Sequence, residues 1–202
     1  MLHVNASECL KQSTNASHRS LDAHPILRSL VRPTLNEREY TLALVALEHW
    51  IKKHLPLFLN HSNEALKQRV SERYSWLIQD LKSLNALDCI IESEPFETHH
   101  NSLSEVLGAI YVFEGASLGG RVLAPLIERS LNRHDVTHFY NGYRDNTFAL
   151  WKATQYELDS QLIEPQQIET AVESAKKLFL SMSDSLDIVS HSYFKLDEVA
   201  NG

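Results

Sequence analysis

Gly108-Ala-Ile-Tyr111-Val-Phe-Glu-Gly115-Ala-Ser117-Leu-Gly119-Gly120-Arg121 is the stretch on which the reading of this chain turns. Four of the chain's six glycines stand in it, with no proline or turn cluster beside them. Its flanks, 103–107 and 122–131, have helical character. Glycine inside a helix costs about 0.8–1.0 kcal/mol relative to alanine, so four in one helical stretch answer to something other than helix stability. At about 100° per residue, Gly108, Gly115 and Gly119 fall within roughly 40° of one another, with Tyr111 beside them. A stripe without side chains lets the backbone approach something flat or bulky, and it loosens the helix for a bend. Gly120 lies off the stripe and is placed to serve that bend. Close packing against a second helix is the competing explanation.

The rest of the chain also reads as helix. Residues 5–28 carry Leu10, Ala16 and Leu21 among polar positions, and Pro25 divides or ends the segment. Thr34-Leu-Asn-Glu37 has the pattern of a capping box and opens a helix to about His54, closed by Pro56. Residues 62–84 repeat apolar side chains at helical spacing: Leu66, Val70, Tyr74, Leu77, Ile78 and Leu81. Residues 85–101 are irregular. Ser102-Leu-Ser-Glu105 is a second capping box, and it starts the glycine helix. After a loop at 132–145, a helix over 146–162 carries Phe148, Trp151 and Tyr156. Pro165 suits the first turn of a last helix to about Ser190, with a frayed tail beyond. No period-2 strand pattern stands out. The fold class expected is all-α: a single domain over 1–202, with a core at about 10–190 and six to seven helices, the glycine-rich one kinked.

Bulk properties narrow the function. The chain has 202 residues, enough for one domain with a real core. A formal net charge of −7 argues against nucleic acid as partner. No apolar run stands out as a membrane span, and the first residues lack a charged-then-apolar signal pattern, so a cytoplasmic protein without a membrane partner is expected. Two cysteines, Cys9 and Cys89, are too few for a disulfide framework or a cysteine-based zinc site.

One constellation on the first helix suggests chemistry. Lys11, Thr14, His18 and Asp22 are spaced by three, four and four residues, which puts them on one side of a helix. A neutral histidine there is a natural axial ligand for haem iron. Asp22 is placed to accept a proton from the other ring nitrogen and orient the ring, and Lys11 to reach an anionic group at the edge of the same ligand. A histidine that binds no metal is the competing explanation. Two other patterns are weak. Glu97-Thr-His-His100 supplies one Glu-x-x-His where a di-iron bundle needs two, and Asp135-Val-Thr-His138 is no stronger. Ser117 has no nucleophile-elbow pattern around it.

A histidine on one helix and a glycine stripe on another could enclose a planar cofactor from both faces. Here the sequence resembles the haem oxygenase family. Leu10-Lys-Gln-Ser-Thr14-Asn-Ala-Ser-His18 looks like that family's proximal helix. Tyr111-Val-Phe-Glu-Gly115-Ala-Ser-Leu-Gly119-Gly looks like the distal helix of its bacterial, biliverdin-producing branch. Phe139-Tyr-Asn-Gly142-Tyr, Trp151 and Ala175-Lys-Lys-Leu-Phe179 follow in family order, so the resemblance spans about 10–186.

The resemblance implies haem as both substrate and cofactor, with His18 as the iron ligand. It implies Lys11 and Tyr111 near the propionates and Gly115 and Gly119 against the distal face, with Ser117 a catalytic candidate on the same helix. It implies an oxidoreductase that opens haem to biliverdin, CO and iron with O2. Electrons would come from a donor such as a ferredoxin or a reductase, and a biliverdin-using acceptor protein would follow. Two departures stand out. Ala116 occupies the place of a proton-organising aspartate or serine and leaves the proton relay unassigned, and Arg144 stands where a second glycine is common. Three readings stay open on the sequence: a working haem oxygenase, a haem-binding or haem-carrying protein without turnover, and a helical interaction module without cofactor.

Overall fold

The computed structural model describes residues 5–60, 63–94 and 101–200. Among the described residues there is no strand, and eight α-helices follow in order: α1 Ala6–Asp22, α2 Pro25–Ser29, α3 Glu37–Leu59, α4 Glu64–Ser83, α5 Leu103–Leu131, α6 His138–Asn141, α7 Thr147–Gln161 and α8 Pro165–Ala200. The all-α expectation holds. The helices beyond the expected number are short. Pro25 opens α2 as a separate element, and α6 is a single turn inside the expected 132–145 loop. The Glu97–His100 motif lies outside the described residues.

Local signals set most boundaries. Asn36 caps α3 in a reciprocal box with Glu39, two residues beyond the expected Thr34–Glu37 box. Leu35 and Tyr40, both buried, occupy the positions of a hydrophobic staple around that cap, and this fixes the later register. Pro56 does not end α3. The helix runs on to Leu59, because burial of Leu57 and Phe58 holds one more turn. The Ser102–Glu105 box is present at the start of α5. α8 does not fray at Ser190: Leu186, Val189 and Tyr193 continue its inward face, and the helix extends to Ala200.

α5 lies at the centre. It packs on α8, α7, α6 and α3, while α8 also backs α1 and α3. By length and composition α5 is long and apolar enough to cross a membrane, which corrects the expectation that no run comes close. The physical reason is its central position, with 56% of its most apolar window buried by other helices. α5 stays α-helical through all four glycines and past Pro125. α6 is held against it from below: Asp80 on α4, fully buried, accepts the backbone N–H groups of His138 and Phe139 at 2.9 and 2.8 Å and sits 2.7 Å from His138 Nδ1. This pairing accounts for His138, and among the described residues no group of three metal-ligating side chains forms.

Two of the α5 glycines are packing glycines. A Cβ on Gly108 would overlap the backbone carbonyl of Ala171 on α8, and one on Gly120 would overlap the carbonyl of Tyr140 in α6. Gly108 therefore leaves the ligand stripe and joins the core. Arg144, standing where the resemblance places glycine, has φ 45°, in the left-handed region. The loop keeps a glycine-like backbone while carrying a side chain there, which costs about 1–2 kcal/mol.

Opposite stability effects follow. Gly108→Ala should destabilise by about 1–3 kcal/mol or more through overpacking. Arg144→Gly should be neutral to stabilising, raising Tm by about 2–4 °C for each kcal/mol of strain released. Thermal unfolding of the two ligand-free variants checks both. An unchanged Tm for Gly108→Ala would contradict the close approach of α5 and α8.

Candidate functional site

α1 and α5 meet at Thr14 and Tyr111. Thr14 is buried, and its hydroxyl donates to the Leu10 carbonyl at 2.7 Å. Burial pushes the Tyr111 phenol above its usual pKa, and the nearby Thr14 hydroxyl partly offsets this. From that contact His18 lies one turn along α1, and Gly115 and Gly119 lie one and two turns along α5.

His18 is 59% exposed. Its Nδ1 sits 2.9 Å from Asp22 Oδ2, one turn further along α1. A carboxylate in that position favours the proton on Nδ1 and leaves Nε2 as the nitrogen with a free lone pair. The ring meets Phe179 of α8 edge-on, with centroids 5.7 Å apart, so its plane is braced from behind. Lys11 is exposed and 3.6 Å from Glu8, an i,i+3 pair that contributes little at a solvated surface.

The stripe divides by what each glycine faces. A Cβ on Gly115 would rest at 3.5 Å from the Trp151 ring on α7, an ordinary contact. A Cβ on Gly119 would meet nothing within 4 Å. Trp151 also stands 5.7 Å, centroid to centroid, from Tyr111. The glycine face is thus closed by an indole at one end and open at the other. Ala116, Leu118 and Val122 beside Gly119 are exposed. Ser117 is not on this face. It is 7% exposed, and helical geometry turns it about 200° from both Gly115 and Gly119. The expectation of Ser117 as a catalytic group at the stripe is corrected on that ground.

Below the glycines lies a polar cluster that the sequence reading missed. Glu114, 1% exposed, has Oε2 3.1 Å from Arg69 Nη1, and its Oε1 accepts the Tyr143 hydroxyl at 3.0 Å. Burial and the Glu114 carboxylate hold the Tyr143 phenol protonated, well above the usual range. Arg69 also donates to the Leu150 carbonyl and to Thr154 Oγ1, each at 3.1 Å. Arg73, fully buried one turn along α4, donates to the Phe113 carbonyl and lies over the rings of Phe113 and Phe139 at 4.5 and 4.7 Å. The signal was present: one carboxylate in the apolar run before Gly115, and two arginines four residues apart on an amphipathic helix. Cavities of about 460 and 470 Å³ lie elsewhere, one beside Arg69, Trp76 and Leu150, the other beside His54, Glu105 and Lys177. Neither cavity is lined by His18, Gly115 or Gly119.

An all-helical bundle with an oriented histidine on one helix and a bare backbone face on the next defines a protein built to hold a flat ligand. The comparisons agree. The family model described as Heme oxygenase matches residues 4–186. No curated protein matches the chain. Three similar solved structures are bacterial. The haem oxygenase of Leptospira interrogans has 17% identity and a TM-score of 0.69, over 91% of this chain and 98% of that one. The haem oxygenase-1 of the cyanobacterium Synechocystis, in complex with haem, has 14% identity and 0.68, over 98% and 97%. The NO- and CO-bound haem oxygenase of Neisseria meningitidis has 22% identity and 0.71, over 92% of each chain. The chain belongs to the haem oxygenase family, an oxidoreductase family whose function is the degradation of haem.

The open face gives a test that separates ligand seating from packing. Gly119→Ala should raise the stability of the ligand-free protein by about 0.8–1.0 kcal/mol through helix propensity, since no atom obstructs the methyl group. The same change should weaken haemin binding or slow ring opening. Thermal unfolding and haemin titration on one preparation check it. A stabilised protein with full affinity and full turnover would show that nothing seats at Gly119.

Proposed function

We propose that this protein opens haem to biliverdin, with release of CO and iron, using O2 and electrons from an external donor such as a ferredoxin or a reductase. The observation that carries the reading is the pairing of His18 Nδ1 with Asp22, which leaves Nε2 as the nitrogen available to a metal. The residues present fit haem. A braced imidazole offers one neutral nitrogen donor, and a Cβ at Gly119 would occupy space that a ring needs. Bound haem supplies the iron at which O2 is activated and the ring that is opened.

The chain's own contributions are positional. His18 Nε2 would hold the iron, and Asp22 would keep the imidazole in one tautomer and raise its basicity. Gly115 and Gly119 would offer bare backbone to the bound ring and leave space for O2. A neutral imidazole lacks the electron push of a thiolate, so the distal face decides what becomes of the oxygen. Tyr111, beside Thr14, and the exposed Lys11 suit the carboxylate edge of the ring. Ala116 supplies no proton donor, so we assign proton supply to solvent entering at the open Gly119 end.

The test is His18→Ala, titrated with haemin and then reduced in air. The expected result is loss of the coordinated ferric and ferrous-CO spectra, partial recovery with added imidazole, and little biliverdin. Asp22→Asn should keep haemin binding but lower affinity or turnover by about 10–100-fold. An unchanged spectrum and full biliverdin yield in His18→Ala would overturn the ligand assignment. Stable haemin binding by the unmutated protein, with no ring opening under any reductant, would leave a haem carrier.

A further inference from the structure

A closed circuit of contacts surrounds Gly115. Glu114, the residue before it, is buried against Arg69 of α4. Arg69 reaches across to Leu150 and Thr154, the residues that bracket Trp151 on α7. Trp151 returns to α5, with its ring 3.5 Å from the position of a Gly115 Cβ. One guanidinium thus ties α5 and α7 at adjacent points and sets the spacing between the indole and the glycine backbone. The cavity of about 460 Å³ lined by Arg69, Tyr143 and Leu150 leaves α7 room to shift once the tie is cut.

We infer that Arg69 and Glu114 are positioning residues that hold Trp151 as a fixed end-stop on the glycine face, and that this stop selects which edge of the ring is opened. The inference rests on the haem reading above. The physical ground is the asymmetry of the face: Trp151 stands against Gly115, while a Cβ at Gly119 would meet nothing within 4 Å. A flat ligand sliding along the helix is halted at one end only. A small displacement of that stop rotates or shifts the ring under the oxygen, and misplacement by about 1 Å can cost a hundredfold in a positioned reaction.

The test is the double variant Arg69→Met/Glu114→Gln. It removes both charges of the Arg69–Glu114 pair together, and the glutamine oxygen still accepts the Tyr143 hydroxyl. Thr154 keeps its own bond to the Leu150 carbonyl at 3.1 Å. In the ligand-free protein, the acrylamide quenching of Trp151 is isolated as the difference between each protein and its Trp151→Phe counterpart, and it is expected to rise. With haemin and a reductant, the yield of the main biliverdin isomer should fall by about tenfold or more in favour of other isomers. Should the double variant not fold, Thr154→Val removes one of the acceptors of Arg69 on α7 and is read by the same two measurements. Haemin uptake with an isomer mixture identical to the unmutated protein's overturns the steering role, whether or not Trp151 becomes more accessible. Absence of haemin uptake by the unmutated protein overturns the haem reading and the steering with it.

Discussion

The structure depends on two arginines of α4 that grip the middle of α5. Arg73 holds the Phe113 carbonyl and Arg69 holds the Glu114 carboxylate, the two residues immediately before the glycine face. Buried charges add little net stability, because desolvation cancels much of their attraction. Their effect is on register. A one-residue slip of α5 would separate Glu114 from Arg69 and leave both charges alone, at a cost of about 3–5 kcal/mol. In a largely apolar helix packed by interchangeable aliphatic side chains, this pair joins the close approaches at Gly108 and Gly120 in marking the rotation. With the pair in place, Gly108 must face α8, Gly120 must face α6, and Gly119 must face outward.

The four glycines of α5 therefore do two jobs by one property. At Gly108 and Gly120 the missing side chain is filled by a neighbouring backbone. At Gly119 the space stays open, and at Gly115 it is bordered by an indole that stops at contact distance. Helix propensity penalises all four alike. Tertiary packing repays the first two in the ligand-free protein, and the other two form the bare backbone against which we propose the ligand seats.

Much of this was legible in the sequence. Periodicity and capping patterns gave the helices, and the glycine stripe beside the Lys11–Thr14–His18–Asp22 face gave the candidate site that the proposed function uses. The misses have physical causes. Capping boxes overlap in 34–39, and burial of Leu35 and Tyr40, a tertiary fact, chose the later one. Helical angles grouped Gly108 with Gly115 and Gly119, yet one face of a 29-residue helix meets different neighbours along its length. Ser117 was drawn in by closeness in sequence, where rotation about the helix axis sets it apart. The Arg69–Glu114–Tyr143 cluster joins three segments far apart in the chain, and spacing within one helix carries no information about such a meeting.

The arrangement around Gly119 also bears on why this face would suit an apolar ring better than a small polar molecule. On a helix otherwise central to the core, Leu118 and Val122 are 38% and 64% exposed and lie on one flank of the bare backbone of Gly119. Across from α5, Phe179 stands behind His18. Covering apolar surface contributes about 25 cal/mol per Å², so a large flat ligand gains several kcal/mol here before any bond to His18 forms. The histidine then need not supply affinity alone. On the function proposed above, its task would be to fix one point of the ring, with the glycine face and Trp151 setting the plane and the edge. Binding energy spread over a broad face and directed by a few polar contacts suits a ligand that is itself the substrate, because opening the ring destroys the flat shape on which that energy depends.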